Sequence, residues 1–223
     1  MILQAILWDL DGTLADTEAL HFHAWRATLA THGIDYSFEE FRRGFGRTSI
    51  AVLQELLGPA ATPEQVRAVA QEKETNTRRL IRQQGLQLLR GAGSWLDKFR
   101  QAGLRQALAS SGPMGNIIAI LDALDVGDYF ESVLSGARLP RGKPDPALFL
   151  LAAASLEAAP EHCLVLEDSL AGVEAARRAA MRCVAVGQVI HNPALHEMLA
   201  AIPGPPVIQI EQWPDLAWEQ IER

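Results

Sequence analysis

Apolar residues run almost unbroken from Ile2 to Trp8 and then give way to Asp9-Leu10-Asp11-Gly12-Thr13. A short apolar run that stops at acids and a glycine reads as a strand buried on both faces of a parallel sheet. Beyond Asp16 the period changes to that of a helix. Segment 18–31 has apolar residues at helical spacing, with Gly33 as its stop. Two further helices are expected at 38–41 and 49–57, with Gly44, Gly46, Gly58 and Pro59 as breaks. Pro63 suits a first helical position and opens a helix expected to reach Gln84, before Gly85. Nothing in this block alternates with period two.

From residue 94 the pattern switches to short strands between helices. Strands are expected at 105–109, 132–134, 162–166, 182–186 and 207–210. Helices are expected at 94–101, 116–124, 146–156 and 170–180. Alternation of this kind implies an α/β fold whose parallel sheet is covered on both faces. One strand, then a helical block, then the remaining units implies an insertion. The expected division is an α/β core from 1–15 and 88–223, with a small α-helical cap domain at 16–87. Hinges fall near 14–17 and 86–93.

Composition narrows the function classes. The 223 residues are 48% hydrophobic and 21% charged, a globular balance. A net charge of −7 without a basic run argues against nucleic acid or an anionic membrane as partner. Cys163 and Cys183 are too few and too far apart for a disulfide framework or zinc site, and read as small core residues. No secretory signal and no apolar run of the ~20 residues that span a bilayer is visible. The expectation is a soluble, cytoplasmic protein, monomeric with a dimer left open.

The candidate chemistry lies at the expected strand ends. Asp9 and Asp11 follow the first strand. Ser110 and Ser111 follow the strand at 105–109, just before a helix whose N-terminus favours anions. Lys143 lies in Gly142-Lys143-Pro144, and Glu167-Asp168-Ser169 follows the strand at 162–166. Each taken singly is ordinary turn or capping composition. A parallel sheet, however, brings its strand ends to one edge, and four acids would then share one cleft. Unit charges ~4 Å apart repel by roughly 4 kcal/mol at an effective dielectric of 20, so counter-cations are required. Lys143 supplies one, and all-oxygen ligands select Mg²⁺ for the rest.

In these motifs the chain resembles the haloacid dehalogenase superfamily of phosphotransferases, over essentially its whole length. Asp9-Leu10-Asp11-Gly12-Thr13, Ser110, Lys143-Pro144 and Glu167-Asp168-Ser169, with Gly172 after them, stand in the family's order. The resemblance implies a Rossmann-like core with Asp9 as nucleophile, forming an aspartyl-phosphate, and Asp11 as general acid–base. It implies Mg²⁺ held by the Asp9 side chain, the Asp11 carbonyl and Asp168, with Glu167 on a metal-bound water. Ser110, Ser111 and Lys143 would hold the phosphoryl oxygens. On ordinary carboxylate chemistry Asp9 is expected ionised at neutral pH, and Asp11 to have a pKa raised by its acidic neighbours. Asp11 separates the chain from the dehalogenases, which lack an acid–base there.

Within the superfamily the insertion resembles that of the phosphatase and β-phosphoglucomutase group. Thr17, His21, Gly46-Arg47 and Lys73 fall where the mutases have hinge and cap residues. The mutases tend to have Ser, Lys and Asn after the second motif, to hold a distal phosphate. This chain has Gly112-Pro113-Met114, which offers no such side-chain donors. The expectation is therefore a Mg²⁺-dependent phosphatase acting on a small phosphorylated metabolite, in particular a sugar phosphate. A phosphosugar mutase is the runner-up, and a non-catalytic binding relative is the alternative from another class. A dinucleotide loop at Gly91-Ala92-Gly93 finds no support, since Leu96 replaces the third glycine and no strand precedes it.

Overall fold

The computed structural model describes residues 3–44 and 47–222. Six strands, β1 Ala5–Trp8, β2 Arg105–Ser110, β3 Ser132–Ser135, β4 Cys163–Glu167, β5 Arg182–Val186 and β6 Val207–Ile210, form one sheet. Its order is β3-β2-β1-β4-β5-β6, and all neighbours are parallel. The chain works outward from β1 through β2 to β3, then crosses back to β4, so the order reverses between β1 and β4. In open sheets of this kind that reversal opens a crevice at the carboxyl ends of the strands.

All four residues of β1 are fully buried, as the unbroken apolar run requires. Alternate side chains serve opposite faces. Ile6 and Trp8 join Leu108, Leu164, Trp95 and Phe99 on one side, whereas Ala5 and Leu7 join Val165, Phe149 and Val173 on the other. The Trp8 indole N–H donates to Gln106 Oε1 at 2.9 Å, and the Gln106 amide donates onward to the Leu96 carbonyl. The buried ring therefore carries no orphaned donor.

The helices are α1 Glu18–Thr31, α2 Phe38–Gly44, α3 Ser49–Leu57, α4 Pro63–Gln84, α5 Ala92–Gln101, α6 Met114–Leu124, α7 Ala147–Ser155, α8 Leu170–Arg178, α9 Pro193–Ala201 and α10 Trp218–Glu222. Helices α1 to α4 enclose an apolar cluster of their own, around Trp25, Leu29, Phe41, Leu53 and Val69. Helix α4 opens on a capping box, with the Thr62 hydroxyl on the Gln65 N–H, the Gln65 amide oxygen on the Thr62 N–H, and Pro63 next in line. The chain leaves the sheet and returns to it side by side. Ala15 pairs with Leu88, the Asp16 N–H donates to the Gln87 carbonyl, and the Leu89 N–H to the Leu14 carbonyl.

The differences from sequence expectation are local. Ser110 and Glu167 are the last residues of their strands and not the first of their loops. Helix α2 runs to Gly44, which ends it without interrupting it. Gly46, expected as a break, and Ile2, expected in the first strand, lie outside the described residues. Helices α9 and α10 were not foreseen. Asn192 caps α9 through its side chain and Pro193 follows at the first helical position, a signal present in the sequence.

Trp213, 1% exposed, packs on Trp8 and donates its indole N–H to the Thr13 carbonyl at 2.8 Å. The C-terminal segment thereby pins the loop that follows β1. Replacing Trp213 with Phe leaves that carbonyl without its buried donor and should lower stability by about 1–3 kcal/mol. The midpoint of urea unfolding measures it, and an unchanged midpoint would show the bond to be dispensable.

Candidate active site

The reversal between β1 and β4 places Asp9 beside Glu167 and Asp168. Asp9 follows Trp8 directly and its N–H donates to the Leu166 carbonyl, which fixes the backbone at the strand end. Lys143 reaches in from its loop. Its Nζ donates to Asp9 Oδ1 at 2.6 Å, to Glu167 Oε1 at 2.5 Å and to the Ala109 carbonyl at 3.3 Å. Its side chain is 3% exposed, so the ammonium is held away from water between two anions. Burial alone would depress the lysine pKa, but Asp9 and Glu167 overcome it and raise the value.

Glu167 has no spare oxygen. Lys143 occupies Oε1, while Oε2 accepts the Ser169 N–H at 2.8 Å and the Ser169 hydroxyl at 2.9 Å. Gly172 leaves space for this carboxyl, because a Cβ there would fall 1.8 Å from Oε1. Asp168 accepts the Thr13 hydroxyl at 3.0 Å and lies over Gly12, where a Cβ would fall 2.1 Å from Oδ2. Gly12 has φ +88°, so the turn needs glycine for its backbone as well as for room.

Burial pushes the Asp9 carboxyl up to about 7, with Lys143 opposing and Glu167 and Asp11 assisting. Asp168 is pushed well above the usual carboxylate range by burial, Glu167 and Asp9. Without a metal Asp9 therefore holds its proton far more tightly than an unperturbed aspartate, which corrects the expectation of a plainly ionised nucleophile. One lysine is too little charge for these acids.

That imbalance is the test of fit for a divalent cation. The carboxylates of Asp9 and Asp168 face it, hard oxygen donors suited to Mg²⁺. Among the described residues no three Asp, Glu, His or Cys side chains form a ready-made metal group. The four acids expected from sequence do share the cleft, but Glu167 is committed to Lys143 and Ser169 and the Asp11 carboxyl to Thr17 and His21, which leaves Asp9 and Asp168 to face an ion. Two carboxylates with waters are an ordinary Mg²⁺ arrangement, so the residues fit the ion.

The Asp11 side chain faces the helical block. Its Oδ1 accepts the Thr17 hydroxyl at 2.7 Å and contacts His21 Nε2 at 3.0 Å. The Lys73 ammonium lies 3.3 Å from His21 Nδ1. An ammonium can only donate, so Nδ1 accepts and the Nε2–H points at Asp11. Burial raises the Asp11 pKa, but His21, Thr17 and Lys73 outweigh it and the net shift is downward. This reverses the upward shift expected from neighbouring acids: His21, Thr17 and Lys73 of the helical side, and not the acids at the strand ends, set its proton affinity.

A cleft of about 870 Å³, its open mouth included, lies between the helical block and the strand ends. It brings together Asp9, Asp11, Ser111, Lys143, Glu167, Asp168, His21, Lys73 and Arg47. Arg47 is half-exposed and donates to Glu55 at 2.9 Å. Ser110 is buried beneath this floor and accepts the Gly112 N–H at 3.0 Å, while Thr17 is buried behind Asp11. Glu74, Ser49 and Asn116 also line the cleft and were not foreseen. Glu74 follows Lys73 in one helical turn, and nothing in its local sequence marks it.

A profile of the haloacid dehalogenase-like hydrolases matches residues 3–180. The chain belongs to this family. It is 33% identical over 193 residues to the protein CbbY of Rhodobacter capsulatus, covering 82% of this chain and 85% of that one. It is 33% identical over 181 residues to a phosphorylated carbohydrates phosphatase of Thermotoga maritima, covering 79% and 82%. Among solved structures, the β-phosphoglucomutase of Clostridium difficile superposes with a TM-score of 0.85 at 25% identity, covering 99% of this chain and 96% of that one. The haloacid dehalogenase-like fold expected from the motifs is thus established, and relatives of both kinds make the chain a phosphatase or phosphomutase.

The position of Asp9 has a consequence for stability. In the metal-free protein the folded state keeps the Asp9 proton up to pH of about 7, whereas the unfolded chain releases it near 3.8. The folded state binds more protons across that window, so Asp9 lowers stability progressively as the pH rises from 4 to 7. Asp9→Asn should melt at a higher temperature than the wild type at pH 7.5 without metal, and at nearly the same temperature at pH 4. Mg²⁺ should raise the melting temperature of the wild type more than that of the variant. Equal melting of the two proteins at pH 7.5 would contradict the buried charge.

Proposed function

We propose that the protein is a Mg²⁺-dependent phosphatase of small phosphorylated metabolites, in particular sugar phosphates, working through a phosphoryl group carried on Asp9. The reading rests most on Lys143, whose Nζ reaches Asp9 and Glu167 at 2.6 Å and 2.5 Å. A buried ammonium there keeps the Asp9 carboxylate aimed and offers positive charge to incoming phosphoryl oxygens. Residues 16–87 act as the cap, which excludes water while the phosphoryl group is transferred.

In the first half-reaction an Asp9 oxygen attacks phosphorus and the ester oxygen departs, taking a proton from Asp11. In the second, Asp11 takes a proton from the water that attacks the phosphoryl group, and Asp9 is released. Asp11 begins as the anion, held by Thr17 and the His21 Nε2–H. A dianionic phosphate ester entering beside it raises its proton affinity, so Asp11 takes up a proton from solvent as the ester binds and holds it for the first step. Ser110, Ser111 and Lys143 hold the phosphoryl oxygens. Asp9, Asp168 and the Asp11 carbonyl would hold Mg²⁺, which would supply neutralising charge to the phosphoryl group.

Hydrolysis is favoured over mutase chemistry by the wall beside Ser110. Ser111, Gly112 and Pro113 line the cleft, and Gly112 and Pro113 bring no side-chain donor for a second phosphate, Pro113 no N–H either. One observation favours the β-phosphoglucomutase reading: Arg47 lines the same cleft and its planar fork suits phosphate.

A panel of sugar phosphates and p-nitrophenyl phosphate, assayed for phosphate release with and without Mg²⁺, tests the proposal. Turnover should need the metal and fall by at least about 10³-fold in Asp9→Asn, as expected for loss of a nucleophile. Glucose 6-phosphate forming from β-glucose 1-phosphate, with a trace of the bisphosphate, faster than free phosphate appears would establish the mutase. No turnover of any ester under any metal would favour a binding protein.

A further inference from the structure

The cap carries a buried carboxylate with no place in the chemistry above. Glu74, on α4, is 7% exposed. Its Oε1 accepts the Ser49 hydroxyl of α3 at 2.5 Å, and the Lys73 ammonium lies 3.3 Å from each oxygen. Its remaining partner comes from the core. The Asn116 side-chain amide donates to Oε2, and Asn116 is itself 3% exposed. From the other side, Arg78 of α4 donates to Asn116 Oδ1 at 2.9 Å. Asn116 stands in the first turn of α6, the helix that follows the Ser110-Ser111 loop. Two residues one turn apart on the cap thus grip one asparagine beside the phosphate site.

Lys73 links this grip to Asp11. Its ammonium is shared between Glu74 and His21 Nδ1, and His21 Nε2 reaches Asp11. A buried carboxylate needs its donors, and a lysine on a flexible stem needs a fixed anion to hold its position. When the cap lifts, Asn116 leaves with the core and Glu74 loses its fixed donor from that side. Lys73 is then set by a carboxylate that has itself lost its register.

We infer that Glu74 and Asn116 are positioning residues: they latch the cap onto α6 and, through Lys73 and His21, set Asp11 for proton transfer only when the cap is docked. The inference rests on the proposed phosphatase reading for its activity test, but not for its structural one. Neither residue touches the reacting atoms. Their role is therefore greatest for esters whose leaving oxygen needs a proton, and small for aryl esters that leave without one.

Glu74→Gln keeps the shape of the side chain and removes its charge, and Asn116→Ala removes the core partner. With Mg²⁺, both variants should lose about tenfold or more in kcat on glucose 6-phosphate, the scale of one lost hydrogen bond to a charged group. The loss on p-nitrophenyl phosphate should stay within about threefold, since little leaving-group protonation is needed there. Equal losses on both esters, or none on either, would overturn the positioning role, because a general folding defect does not distinguish leaving groups. Amide hydrogen exchange on the same proteins gives a readout free of turnover. Residues 73–78 and 114–118 should exchange faster in Asn116→Ala than in the wild type, and unchanged exchange would overturn the latch. If the wild type releases phosphate from no ester of the panel, the phosphatase reading fails, and the exchange result alone decides the latch.

Discussion

One ammonium group between two buried carboxylates organises this active site. Lys143 sits at hydrogen-bond distance from both Asp9 and Glu167, with its side chain out of solvent. Removing it would leave two anions in a low-dielectric pocket, a loss of several kcal/mol for breaking a buried pair. The arrangement also fixes which acid is free. Glu167 is spent on Lys143 and Ser169, whereas Asp9 keeps an oxygen that Lys143 does not bind. The sheet makes this possible, because Asp9 directly follows β1 and Glu167 ends the adjacent parallel strand β4, on either side of the point where strand order reverses.

Lys143 alone underbalances the charge. Asp9 and Asp168 both have raised proton affinity, burial being the largest cause for each. A cation bound beside them would supply the missing charge and let both acids ionise, which would tie chemistry to metal affinity. Asp11 has the opposite setting. Two residues along the chain, its carboxyl is drawn down by His21, Thr17 and Lys73 from the helical block. Two aspartates in one motif are thus tuned apart by different parts of the fold, Asp9 toward keeping its proton and Asp11 toward losing it.

Much of this was legible in the sequence. The buried strand at β1, the helical block after it and the alternation beyond residue 94 followed from hydrophobic period alone. The bounds of α1, α4, β5 and β6 came out as expected because clear punctuation flanks them: Gly33 after α1, Thr62-Pro63 and Gly85 around α4. Asp9, Lys143 and Asp168 were found because strand ends of a parallel sheet converge. What stayed hidden was tertiary. The direction of the Asp11 shift depends on His21 and Lys73, which are 10 and 62 positions away and become neighbours only by folding. Trp213 under Thr13, and Asn116 against Glu74, join segments with no local signal. The family resemblance supplied roles for motif residues and pointed to His21 and Lys73 in the cap, but not to Trp213, Glu74 or Asn116.

The most direct test is a crystal structure grown with Mg²⁺ and trifluoroberyllate, which mimics a phosphoryl group on a carboxylate. The expected result is beryllium bonded to an Asp9 oxygen, its fluorines on Lys143 and Ser110 or Ser111, and a metal ion ligated by Asp9, Asp168 and the Asp11 carbonyl. Beryllium on another residue, or a metal that leaves Asp168 unligated, would contradict the assignment of Asp9 as the residue that takes the phosphoryl group.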